Sequence, residues 1–296
     1  MRVCVVGLGG VGGYVAAMFA KNNIDVVGVA KGKHYKAIQQ NGIEIIENGE
    51  SFSLPLNVKE PKMLNGVFDV VLFCVKSYDL AAAATMLQPH CDSKTVTLSF
   101  SNGVNNDQIL KKILKKSIVA NGCIYILAEI QTYGTIKKHG KVFSAVFGGD
   151  GSDVLVKLFE KSNLRFKNSL DIQKDIWKKY IFIAAFANLT CYYNESIYNV
   201  ANNHHDVAKT ILEEIAQLAK LEGVLIEKEV GKSLDVAKNL PKDATTSMHK
   251  DMQEGKKIEI ESLGSFLLEC AKKHTVSVAT LERIVAKNLA YKKVLL

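Results

Sequence analysis

The chain has 296 residues, 48% of them hydrophobic and 23% charged, with a formal net charge of +8 at pH 7. That length allows two domains and a large core, and the composition is ordinary for a soluble globular protein. No run of about 18 uncharged apolar residues exists to span a membrane; the lysines are spread along helices rather than interleaved with aromatics, which argues against nucleic acid and leaves a basic field suited to anionic small molecules.

Met1 leads directly into RVCVVG, a strand with no room before it for a signal peptide, so a cytoplasmic protein is expected. The loop Gly7, Leu8, Gly9, Gly10, Val11, Gly12 comes next. GYVAAMFAKNN then carries apolar residues at helical spacing up to an Asn-Asn stop, and IDVVGVA reads as a second strand. In this context Gly7 permits the tight turn, Gly9 lets backbone approach a pyrophosphate, and Gly12 lets helix pack on strand. A pyrophosphate then lies at a helix N-terminus, where free N–H groups and the dipole favour an anion.

The end of the second strand selects the dinucleotide. An NAD site usually places Asp or Glu there for the ribose 2′-OH. Here Lys31 stands at the tip with Lys33 beyond it, and the only nearby acid, Asp25, lies at the strand's other end. A cation at the tip fits a 2′-phosphate, so NADP(H) is the expected cofactor.

GIEIIENGESFSLPLNV alternates around an Asn-Gly turn and reads as a hairpin appended to the sheet. DVVLFCV and TVTLSF are further buried strands of a doubly covered parallel sheet, and KVFSAVFGG is another strand. After Asp171 the strands stop, and DIWKKYIFIAAFANLTCYY, HDVAKTILEEIAQLAKLEG and EIESLGSFLLECAKKH read as long amphipathic helices. The expectation is an α/β dinucleotide-binding domain over 1–168 and an all-helical domain over 169–296. Cys4, Cys74, Cys91, Cys123, Cys191 and Cys270 show no C-x-x-C spacing and read as reduced thiols. His204 and His205 lack further ligands at suitable spacing, so they read as a loop or helix start and no metal is expected. Lys287 and the terminal Lys292 and Lys293 read as surface charge.

With five strings in order, the chain resembles the ketopantoate reductase (2-dehydropantoate 2-reductase) family over nearly its whole length. VLFCVKSYD with Lys76 is similar to the family's strand-end lysine motif, and LSFSNGVNN with Asn102 and Gly103 to its Asn-Gly loop. GTIKKHGKVFSAVFGG is similar to the strand pair closing its first domain. DIWKKYIFIAAFANLT matches its Trp-x-Lys helix, with Lys179 in the catalytic position, and SMHKDMQEGKKIEIESLGSFLL aligns Ser247 and Glu259. The resemblance implies a Rossmann domain, a helical C-terminal domain, an active site in the cleft between them, and NADPH-dependent reduction of ketopantoate to pantoate in pantothenate biosynthesis. A homodimer is a possible assembly.

The chemistry matches those residue types. Hydride delivered to a ketone carbon leaves an alkoxide that needs a proton or a balancing charge. A lysine ammonium does both, which the resemblance assigns to Lys179. Adjacent Lys178 points about 100° away on a helix, so the two cannot face one site equally. A carboxylate orients the substrate hydroxyl and keeps the lysine charged; the spacing from Ser247 selects Glu259 over Glu261. Ser247 is expected at the substrate carboxylate, and Asn102 and Lys76, at strand C-termini, at the nicotinamide ribose and substrate.

One departure stands out. Where the family carries asparagines four and eight residues after the lysine, this chain has Ile183 and Ala187. Two polar anchors become apolar, which points to a more apolar 2-keto acid as the alternative substrate, with Asn188 or Asn194 the other candidates for the missing contacts. A third reading is an NADPH-sensing protein without catalysis.

Overall fold

The computed structural model describes residues 1–294, with side chains to Tyr291; the side chains of Lys292 and Lys293 lie outside the described residues. The chain forms two compact units, one of Met1–Ser101 with Asn105–Ile172, the other of Asn102–Val104 with residues from Gln173 onward.

In the first unit, β1 (Arg2–Val6) leads into α1 (Gly10–Lys21), then β2 (Asp25–Val29) and α2 (Gly32–Asn41). Next come β3 (Ile43–Glu47), β4 (Glu50–Leu54), β5 (Asn57–Lys59), β6 (Val70–Phe73), α3 (Leu80–Leu87), β7 (Val96–Ser99) and α4 (Asn106–Ile113). The unit closes with β8 (Ile118–Val119), β9 (Asn121–Thr132), β10 (Thr135–Gly148), α5 (Ser152–Lys161) and β11 (Phe166–Asn168). Six strands make a parallel sheet in the order β5-β2-β1-β6-β7-β8. The order reverses at β1, so the loops after β1 and β6 diverge at the switch point where such sheets take ligands.

Alternate residues of β1 feed opposite cores. Val3 and Val5 join one apolar cluster, while Cys4 and Val6 join another. Both faces are covered, which is why these strands read as continuous apolar runs. Each fully buried side chain of this kind contributes roughly 1.5–3 kcal/mol before entropy is counted.

Two expectations are corrected. The β3–β4 hairpin is not appended to the parallel sheet; it belongs to a second sheet, ordered β11-β10-β3-β4, with β9 on β10. The parallel pairing of Ile45 with Ile136 draws it there. Ile43 and Ile45 are fully buried while Glu44 and Ile46 are half-buried, the alternation of a sheet with one covered face. GTIKKHGKVFSAVFGG is one irregular strand, β10, rather than a strand pair. Its register shifts between Lys138 and Phe143, and its antiparallel partner is the unanticipated β9.

Among its described residues the second unit has helices and no strand: α6 (Ile172–Tyr193), α7 (Ile197–Asn203), α8 (His205–Leu221), α9 (Lys228–Lys238), α10 (Ser247–Gln253), a π turn over Glu261–Ser265, α11 (Phe266–Lys273) and α12 (Ala279–Val294). The 22 residues of α6 include neither Gly nor Pro, so nothing interrupts the helix. Caps set the shorter helices: the Ser196 hydroxyl accepts from Asn199 N–H at 3.2 Å, and the Thr246 hydroxyl from His249 N–H at 3.2 Å. All six cysteines are free. Among the described residues no helix is long and apolar enough to cross a membrane, and no group of His, Cys, Asp or Glu could hold a metal.

Candidate active site

The glycine loop is closed on its flanks and open at one point. Gly7 has φ +91°, a conformation other residues rarely adopt, and its N–H donates to the Val29 carbonyl at 3.0 Å. A Cβ on Gly12 would strike the Gly7 carbonyl, and one on Gly10 the Ala128 carbonyl of β9. Leu8 is buried, with its side chain against Gly28, and Val11 is half-buried. A Cβ on Gly9, by contrast, would meet nothing within 4 Å. Gly9 caps α1, which has no side-chain cap and no acid in its first turn. The start of α1 thus offers uncapped N–H groups beside open backbone, which fits a dinucleotide pyrophosphate.

Lys31 is exposed and caps α2 at the end of β2. Lys33, also exposed, holds its ammonium 5.9 Å from the Tyr133 ring centre. Lys76 is half-buried and opens a 3₁₀ turn after β6. The loop after β7 is braced: the Ser101 hydroxyl donates to the Val75 carbonyl at 2.6 Å, and the Asn106 amide donates to the Ser101 carbonyl at 2.8 Å. Asn102, half-buried, is the next residue.

Within the second unit, Lys179 and Asn102 come together, with the lysine Nζ 3.5 Å from the Asn102 Oδ1. Trp177 and Tyr180 beside Lys179 are buried against each other, edge to face at 5.4 Å, which fixes the rotation of α6. Lys178 turns instead towards Asp175, at 3.8 Å. Glu259 is 2% exposed, immediately upstream of the π turn, and its backbone carbonyl accepts from Leu263 N–H at 3.1 Å. Two bonds tie α6 to that turn: Tyr180 Oη to the Ser262 carbonyl at 2.6 Å and the Asn188 amide to the Leu263 carbonyl at 2.7 Å.

Ser247 is exposed at the first position of α10. The helix is anchored to the end of α6, because the Thr190 and Thr246 hydroxyls are 2.9 Å apart and His249 Nε2 lies 2.8 Å from Asn194 Oδ1. Thr245 Oγ1 lies 2.7 Å from His249 Nδ1, and burial lowers the imidazole's pKa. Ile183 is half-buried and Ala187 is buried. The Asn188 amide donates to the Ala184 and Leu263 carbonyls, and exposed Asn194 uses its Oδ1 towards His249. His204 starts α8, stacked on Tyr193 at 3.6 Å. Lys287, read from sequence as plain surface charge, is exposed yet donates to the Tyr192 carbonyl at 2.9 Å.

Sequence reasoning passed over His34, whose buried ring touches the glycine loop, and the π turn beside Glu259. A lone histidine in a helical stretch carries no signal, and π turns have no compositional mark.

Comparison with known proteins bears on the chemistry. The family model described as ketopantoate reductase PanE/ApbA matches residues 3–149, and its C-terminal counterpart matches residues 171–291. The chain is 28% identical to the uncharacterized oxidoreductase YkpB of Bacillus subtilis (strain 168), over 98% of this chain and 99% of that one. It is 24% identical to the 2-dehydropantoate 2-reductase of Mesorhizobium japonicum, over 97% and 96% of the two chains. A D-mandelate dehydrogenase solved with NADH and anilino(oxo)acetate shares the fold, with a TM-score of 0.91 at 19% identity over 100% of this chain and 99% of that one.

Proposed function

The chain belongs to the ketopantoate reductase family and is an oxidoreductase acting on a keto or hydroxyl group; from that premise we propose that it reduces a 2-keto acid with NADPH, ketopantoate first among the candidates. The observation that carries this reading is the 3.5 Å approach of the Lys179 ammonium to Asn102, the residue just past a strand of the parallel sheet. A nicotinamide dinucleotide at the glycine loop supplies the hydride. Lys179 gives the proton that the new alkoxide requires, acting as general acid. Buried Glu259 orients the substrate hydroxyl and favours the charged lysine. Ser247 takes the substrate carboxylate, Lys76 and Asn102 hold the ribose and substrate, and Lys31 pairs with the 2′-phosphate.

A second substrate class has its own support. Ile183 and Ala187 bring no polar group to α6 after Lys179, and the nearby Asn188 spends its amide on the Ala184 and Leu263 carbonyls. That composition suits a 2-keto acid with a bulkier apolar chain, and the related fold that carries anilino(oxo)acetate is consistent with it. Steady-state NADPH oxidation with ketopantoate and a panel of 2-keto acids tests both readings. Saturable turnover on ketopantoate upholds the first, and preference for an apolar member upholds the second. Tight NADPH binding with no turnover on any member would leave a sensor.

A further inference from the structure

His34 is 8% exposed on the first turn of α2, and its two ring nitrogens hold two separate backbone segments. Nε2 lies 2.8 Å from the Leu8 carbonyl oxygen, and the Gly134 N–H points at Nδ1 from 3.1 Å. An amide N–H can only donate, so Nδ1 is the bare nitrogen and Nε2 carries the proton. Only this one neutral tautomer satisfies both bonds.

The two segments are not arbitrary. Leu8 lies between Gly7 and Gly9, so its carbonyl direction sets the peptide plane shared with the Gly9 N–H. Gly134, with φ +93°, is in the turn joining β9 to β10, and β9 also backs Gly10 through the Ala128 carbonyl. His34 is three residues after Lys31 on the same chain segment. One ring therefore joins the glycine loop, the strand pair behind it and the helix start that presents Lys31.

We propose that His34 is a positioning residue of the dinucleotide site, holding the Gly9 and Gly10 N–H groups in fixed relation to Lys31 and so setting dinucleotide affinity. The proposal rests on the reading of the glycine loop as that site. A protonated ring would turn a second N–H towards the Gly134 N–H, leaving two donors face to face and the clasp broken. Burial disfavours that charge, so the pKa of His34 lies below the ordinary 6.5. The clasp is accordingly intact above about pH 6.5 and is lost as pH falls through the lowered value.

The surrounding elements carry few other charges. Residues 7–13 have no titratable side chain, α2 and its cap contribute Lys31, Lys33, Tyr35 and Lys36, and the β9–β10 turn contributes Tyr133. Glu44 of β3 stands behind the turn, where its N–H donates to the Gly134 carbonyl at 3.0 Å and its carboxylate accepts from the Thr135 hydroxyl at 2.8 Å.

The test is equilibrium binding of NADPH and NADH, followed by fluorescence, to the full-length protein and its His34→Ala and His34→Gln variants. A glutamine amide can both donate and accept but does not titrate. His34→Ala is expected to weaken both dinucleotides by about tenfold, the scale of one buried hydrogen bond. His34→Gln is expected to restore most of that at pH 7.5. As pH falls from 7.5 through the lowered pKa of His34, the affinity ratio of the unmutated protein to His34→Gln should fall; the titration of the 2′-phosphate is common to both and cancels. Imidazole ¹⁵N shifts of the unmutated protein provide a readout independent of variant folding, with Nδ1 bare at pH 7.5. The opposite tautomer, or affinities that ignore His34 at every pH, would overturn the clasp while leaving the cofactor reading intact. Failure of the unmutated protein to bind either dinucleotide would overturn both.

Discussion

The side-chain amide of Asn188 donates to the backbone carbonyl of Leu263 at 2.7 Å, reaching from the middle of α6 into the π turn. A π turn bonds i to i+5 and leaves a carbonyl without its usual helical donor. Wholly buried Asn188 gives the Leu263 carbonyl of this turn a side-chain donor, and the Asn288 amide in turn donates to the Asn188 carbonyl at 3.0 Å and its Oδ1 at 3.2 Å. This polar triangle inside an apolar helical unit holds the segment entered through Glu259.

Removing the Asn188 amide leaves the Leu263 carbonyl to find another donor in a buried place, while the Asn288 amide keeps the Asn188 backbone carbonyl and loses only Oδ1. Asn188→Ala should therefore cost about 1–3 kcal/mol of stability, the cost of one buried group left unpaired. Urea denaturation measures it. A loss below about 0.5 kcal/mol would mean that the triangle is not what holds the π turn.

Lys179→Ala should lower kcat by roughly 10²–10⁴-fold while NADPH affinity stays nearly unchanged, the usual pattern for loss of a general acid. Lys178→Ala should change little, because Lys178 faces Asp175 at 3.8 Å. Steady-state kinetics with a separate NADPH titration makes the distinction. The reverse result would assign the proton transfer to Lys178.

Exposed Lys31 should make NADP(H) bind at least about tenfold more tightly than NAD(H), or about 1.4 kcal/mol, a modest demand on one phosphate contact. Lys31→Asp should remove or invert that preference. Equal affinities in the unmutated protein would assign no role to Lys31 in choosing the dinucleotide.

Ile183→Asn tests the apolar departure on its own, because Ala187 is only 1% exposed and a larger residue there would overpack the core. If Ile183 borders the substrate, the substitution should raise kcat/KM for ketopantoate relative to an apolar-chain 2-keto acid by roughly 5- to 150-fold, equivalent to about 1–3 kcal/mol. An unchanged ratio would remove Ile183 from the substrate's surroundings.

The parallel sheet and glycine loop were legible because strands such as Val70–Phe73 are covered on both faces and their apolar character is continuous. The ownership of the β3–β4 hairpin was not, since its pairing partner Ile136 is far along the chain and local alternation names no partner. The same limit hid the His34 clasp, whose Gly134 partner is 100 residues away, and the Asn188 bond, which spans 75. Lys179 and Asn102, 77 apart, were each expected at the site only through the family resemblance, and their contact was not anticipated. Periodicity reports burial, but a polar contact across the fold leaves no periodic trace.

The most direct measurement follows deuterium from NADPH dideuterated at nicotinamide C4 into product, with ketopantoate as the first substrate and an apolar-chain 2-keto acid as the second. The account predicts a 2-hydroxy acid one mass unit heavier, with the label at C2 and its formation suppressed by Lys179→Ala. Hydroxy acid without label, or no hydroxy acid from either substrate while NADPH binds tightly, would contradict the assignment of this chain as an NADPH-dependent 2-keto acid reductase.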